Sequence, residues 1–211
     1  YSFLRDQLIT LQIQPGELDL EEFERLVADG REALATGDPS SAASSLRAAE
    51  ALWSGSALAD LDLEGLVRIE SERLEESRLA AVEERIEAEL ALGQHRALVG
   101  ELEGLSGEHP YRERFRAQLM LALYRSGRQA EGLEVYRRTR TLFDDELGLV
   151  PGTELQELER AILTQDPALG PPPADRNAKP RHPVEGIGCL FRGLDPFEPV
   201  RNRIRNAAGR L

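Results

Sequence analysis

Two helix-breaking glycines, Gly93 and Gly127, stand 34 residues apart, and the residues after each of them repeat a pattern. Together with Gly37 they serve as anchors. Five residues on stand Ala42, Leu98 and Gly132; nine on, Leu46, Leu102 and Tyr136; twelve on, Ala49, Leu105 and Thr139. Small or apolar residues at these offsets let the second helix of a pair press on the first, while glycine permits the tight turn between them. The spacing therefore predicts stacked helical hairpins.

A 34-residue period is that of tetratricopeptide arrays. Because Gly37 to Gly93 is not a single period and Leu98, Leu105 and Thr139 are larger than the usual small residues, an irregular helical bundle also fits the spacing. Composition favours helix in either case. Aromatic residues make up only 5% of the 211-residue chain, which suits helices built on Ala and Leu better than a sheet rich in branched and aromatic side chains.

Local signals place about seven helices. Asp19 and Glu22 form a capping-box pattern at the start of the first, whose apolar face holds Leu20, Phe23, Leu26, Val27 and Leu34. Gly37-Asp38-Pro39 ends that helix and opens the second, with Asp38 as N-cap and Pro39 at the first helical position. This second helix is expected to run to about Trp53, whose ring should be mostly buried. A long charged helix comes next, with Leu79, Val82, Ile86 and Leu90 as its apolar stripe and Glu70, Glu72, Glu75, Glu76, Glu83, Glu84, Glu87 and Glu89 on solvated faces. Further helices are expected at His95–Leu105, Tyr111–Tyr124 and Arg128–Leu147. The last begins near Thr153 with a second capping box to Gln156, and turns Leu155, Leu158 and Ile162 inward.

The two ends read differently from this body. Ile9, Leu11 and Ile13 alternate with polar residues as in a half-buried strand, and with no partner strand in view residues 1–14 are expected to be the remnant of an upstream domain, or else a disordered leader. Beyond Leu169, Pro171-Pro172-Pro173 and a polar, proline-broken stretch mark residues 170–187 as a linker. Residues 188–211 should be loosely ordered.

Charge limits the partners. The chain carries -12, and since residues 170–211 hold eight basic against four acidic side chains, residues 1–169 carry -16. So acidic a body is expected not to bind nucleic acid, which is held by neutralising phosphates with Lys and Arg. Neither a membrane helix nor a secretory signal is legible, and the chain reads as cytoplasmic.

Catalytic candidates are poor. Cys189 lies beyond the linker, His95 and His109 sit near helix turns, His182 is isolated, and Glu75-Glu76 and Glu83-Glu84 belong to a charged helix face. No residue is assigned a catalytic, cofactor-binding or metal-binding role, and the chain is expected not to be an enzyme.

A family resemblance rests on Pro15-Gly16-Glu17-Leu18-Asp19 with Phe23, Ala51-Leu52-Trp53-Ser54-Gly55, Arg73-Leu74-Glu75-Glu76 and Leu92-Gly93. It continues through His109-Pro110 with Glu113, Ala122-Leu123-Tyr124-Arg125, Gly127-Arg128-Gln129-Ala130, Tyr136 and Glu146-Leu147-Gly148. In this order over residues 11–169 the sequence resembles the bacterial transcriptional activator domain of SARP-type actinobacterial regulators. The resemblance implies an all-α, TPR-like domain over residues 15–169 that follows a winged-helix DNA-binding domain. It implies a role in dimerisation and in coupling to protein partners, either further copies or the transcription machinery, with DNA reached only through the upstream domain. Cys189-Leu190-Phe191-Arg192-Gly193-Leu194 with Phe197-Glu198 resembles the entry segment of a STAND-class signalling NTPase, which implies that residues 188–211 are the truncated start of such a region. No glycine-rich phosphate loop of the GxxxxGKS kind follows it before Leu211. The alternative function is thus a TPR scaffold or sensor of such an NTPase without a DNA-binding role.

Overall fold

The computed structural model describes residues 19–55 and 66–170. Among these there is no strand, and seven helices run in order: α1 Asp19–Ala35, α2 Pro39–Ala51, α3 Leu66–Ala91, α4 His95–Glu108, α5 Glu113–Arg125, α6 Gln129–Leu147 and α7 Thr153–Leu163. A 3-10 turn at Pro167–Leu169 closes the body. The expected strand at Ile9–Ile13, the linker and the tail lie outside the described residues.

The three anchor glycines form the same turn three times. Gly37, Gly93 and Gly127 have φ of 77°, 80° and 80°, the left-handed region that costs glycine least. After each, the next residue donates its N–H five positions back: Asp38 to Ala33, Gln94 to Glu89 and Arg128 to Leu123. Each glycine itself donates three positions back, which completes a Schellman motif that satisfies the last carbonyls of the helix. Helices α1–α2, α3–α4 and α5–α6 are therefore hairpins of one design, and α7 packs on α5 and α6. The offset residues face inward as expected, all buried except half-buried Leu105.

One large core joins α3 to α7. Leu79, Val82, Ile86 and Leu90 of α3 meet Leu98 and Leu102 of α4, Phe115 and Met120 of α5, Tyr136 of α6, and Leu155, Leu158 and Ile162 of α7. Leu169 seals its end. A smaller cluster under the first hairpin contains Phe23, Val27, Leu46, Ala49 and Ala81, and Ala42, Ala43 and Ala88 let α2 and α3 approach closely.

Several local expectations are corrected. Helix α2 stops at Ala51, so Trp53 lies past its end and is half-buried: its ring meets Phe23 edge-on at 5.4 Å on one side and the Arg78 guanidinium at 5.4 Å on the other. Thr153 is inside α7, not its cap. The N-cap is Gly152, without a side-chain cap bond, and Gln156 Nε2 donates to the Pro151 carbonyl. At α1, Glu22 accepts from Arg25 instead of reaching back. Asp38 does cap α2, accepting from the Ser41 N–H at 3.0 Å.

The first hairpin contains its own test of packing. A Cβ added at Gly30 in α1 would lie 2.6 Å from Leu46 Cγ, so α1 and α2 close against bare backbone there. Gly30→Ala should destabilise by about 1–3 kcal/mol through overpacking, although alanine is intrinsically the better helix former by roughly 1 kcal/mol. Urea unfolding checks this. In a Leu46→Ala background the same change should become neutral or stabilising; an unchanged cost in both backgrounds would show that the Leu46 contact is not the cause.

Candidate interaction surface

Helix α3 is central, and its second half is enclosed on every side. From Leu79 to Leu90 no residue is exposed, which corrects the expectation of solvated glutamates at Glu83, Glu84, Glu87 and Glu89. A carboxylate taken from water needs a charged partner, and each of these has one on a neighbouring element. Glu84 pairs with Arg31 of α1 at 2.9 Å and Glu89 with Arg47 of α2 at 2.8 Å. Glu83 pairs with Arg112 and Glu87 with Arg114, both at 2.6 Å. Arg85 reaches Glu50 of α2, Glu89 and Glu101 of α4. Glu83 and Glu84, one of the two acidic pairs in the sequence, are thus ion-paired ties from α3 to the hairpins on either side.

Burial still acts on these groups. It pushes the Glu84 carboxyl up, with the Arg31 guanidinium opposing it. For Arg85 burial disfavours the charge, but the bond to Glu101 and the fields of Glu50 and Glu89 outweigh it and hold the guanidinium protonated. Glu75 pairs with Arg78 and Glu76 with Arg112.

The histidines are apart. His95 opens α4, with Nδ1 buried and unbonded, and burial together with Arg125 and Arg96 lowers its pKa. His109 is the C-cap of α4, its ring 6.0 Å from that of Phe115. Among the described residues no three His, Cys, Asp or Glu side chains could hold a metal ion, and no helix is long and apolar enough to cross a membrane. Cys189 and His182 lie outside the described residues.

Apolar surface gathers at one corner. Tyr111 in the α4–α5 loop is 52% exposed, and Leu147, Leu149 and Val150 at the α6–α7 turn are 46%, 58% and 66% exposed. These segments are adjacent: the Tyr111 and Phe143 rings lie 6.3 Å apart, the Leu149 N–H donates to the Phe143 carbonyl, and the Gly152 N–H donates to Glu113 at 2.7 Å. Gly148, at φ 64°, turns the chain so that Leu149 and Val150 leave the helix without a core to enter. Sequence reasoning missed the corner because its apolar residues come from two distant segments. Its one local signal is Leu147-Gly148-Leu149-Val150-Pro151, an apolar run after a helix stop.

Comparison with known proteins places this body among regulators. Residues 18–163 match the model of the bacterial transcriptional activator domain. The regulatory protein DnrI of Streptomyces peucetius is 41% identical over 79% of this chain and 60% of its own length. The regulatory protein AfsR of Streptomyces coelicolor is 46% identical over 73% of this chain and 15% of its own length. The structure of Mycobacterium tuberculosis EmbR in complex with a low-affinity phosphopeptide superposes with a TM-score of 0.72 at 39% identity, covering 74% of this chain and 41% of that one. The chain spans 60% or less of the length of these relatives.

Proposed function

The chain belongs to the bacterial transcriptional activator domain family, and on that premise we propose that it is the protein-interaction and dimerisation module of a cytoplasmic transcription regulator rather than an enzyme. Its relatives are regulatory proteins, among them the transcriptional regulator RedD and the transcriptional regulatory protein EmbR, and in the proposed arrangement an upstream winged-helix domain binds DNA while this body links that domain to protein partners. The corner of Tyr111, Leu147, Leu149 and Val150 carries the reading. Ile69, Leu92 and Leu163 are also exposed, on other elements, but apolar residues gathered in one patch are the usual mark of a protein interface. EmbR, solved with a phosphopeptide, supports protein partners for regulators of this kind.

Light scattering on the full 211-residue chain tests this. We expect self-association at ~100 µM, since interfaces of modest size commonly give micromolar affinities, and at least a roughly ten-fold weaker dimer after Leu149→Glu with Val150→Glu. Both side chains are exposed, so thermal stability should stay within about 1 kcal/mol. A wild-type chain monomeric at that concentration, or a double variant that associates as well as wild type, overturns the assignment of self-association to this corner.

A further inference from the structure

A groove of about 430 Å³ runs between α4 and α6 along α5, walled by Ser106, Arg116, Leu119, Leu123, Val135 and Arg138. Its size falls within the roughly 300–1,000 Å³ usual for small-molecule sites. Two of its polar groups are incompletely used. The Ser106 hydroxyl is buried with no hydrogen-bond partner among the described residues, on a residue only 7% exposed. Arg116 spends Nε on the Pro110 carbonyl and one Nη on the Thr139 hydroxyl, and no carboxylate among the described residues forms an ion pair with it.

That isolation is unusual in this protein. Of the buried and half-buried arginines among the described residues, Arg31, Arg78, Arg85, Arg112 and Arg114 each pair with glutamate. Arg125 is the other exception, and it is consumed in tying the Leu90 and Leu169 carbonyls together. Burial lowers the Arg116 pKa, opposed only by the field of Glu113. Three carboxylates also line the groove, Glu103, Glu131 and Glu134; Glu134 is held by Arg137 and Arg138 and Glu131 by Arg128, and among the described residues none of the three forms an ion pair with Arg116.

We propose that this groove binds a small organic acid, its carboxylate taken by Arg116 and Ser106 and its apolar body lying on Leu119, Leu123 and Val135. Guanidinium and hydroxyl are donors suited to a carboxylate, and the leucine and valine side chains offer nothing to a more polar body. A free acid fits better than a polypeptide end because the groove is of small-molecule size. This goes beyond the interaction role, since it gives the module an effector site on α6, the helix whose far end carries the apolar corner.

The probe is sodium octanoate, titrated into the full chain and followed by amide chemical shifts. Shifts should concentrate on residues 103–107, 116–123 and 131–138. Octanamide, of the same shape without the charge, should bind at least roughly ten-fold more weakly, as should octanoate to Arg116→Gln, since a charge-assisted bond is worth at least that factor. Ser106→Ala, a milder change, should weaken octanoate several-fold and decides the matter if Arg116→Gln fails to fold. No shifts up to ~10 mM octanoate, a range that covers weak small-ligand binding, overturn the proposal. So do octanamide binding as well as octanoate, or shifts seen only with a peptide carboxylate such as acetyl-alanyl-leucine.

Discussion

Replacing Arg85 by leucine should destabilise the protein by about 3–5 kcal/mol, the cost of breaking a buried ion pair by removing one partner. The Arg85 side chain is 6% exposed and that of Glu89 4%, so solvent screens little of what is lost. Arg85 donates to Glu89 at 2.9 Å and to Glu101, and its Nε lies 2.7 Å from Glu50 as an ion pair. Without it Glu89 keeps only the exposed Arg47. Arg85→Leu combined with Glu89→Leu should recover much of the loss, because the second change removes the stranded charge rather than another contact. Urea unfolding of the two variants measures this. A single variant within about 1 kcal/mol of wild type, the scale of an exposed pair, would show that the network is no better than surface charge.

Phe115→Ala should cost a similar amount, about 3–5 kcal/mol, for a different reason: the ring is fully buried in the main core, and its removal leaves a cavity that its closely packed neighbours cannot fill. Trp53→Ala should cost less, roughly 1–2 kcal/mol, since only part of the indole is withdrawn from water. The sequence suggests the reverse emphasis, with the single tryptophan as core. Position decides it, because Trp53 stands past the end of α2 and covers the edge of the small cluster, against Phe23 and Arg78. Thermal or urea midpoints that rank Trp53→Ala as the costlier change would contradict this account.

What separates these two aromatics also separates the legible from the illegible in the candidate surface. Burial of Leu155, Leu158 and Ile162 follows from helical period alone. The apolar corner of Tyr111, Leu149 and Val150 does not, since it is made by the approach of two segments that are tied by a bond between residues 39 positions apart. Nor does the groove at Arg116, whose walls come from three helices. An apolar period reports one face of one helix. It cannot report how many neighbours that helix has.

The amino-acid sequence by itself determined the hairpins. Gly37, Gly93 and Gly127 impose left-handed turns because other residues adopt that backbone at a cost, Asp38 and Pro39 start α2, and the offsets after each glycine set which side of the second helix meets the first. These are local rules, satisfied within a few residues of where they are written. Only the tertiary structure decided what becomes of the charges on α3, where Glu83, Glu84, Glu87 and Glu89 belong to faces that an isolated amphipathic helix would leave in water. Two hairpins close over them from either side, and the arginines that neutralise them come from residues 27 to 53 positions away in the chain. A buried charge is settled by whatever lies within about 4 Å of it, and that neighbourhood exists only after the helices have stacked.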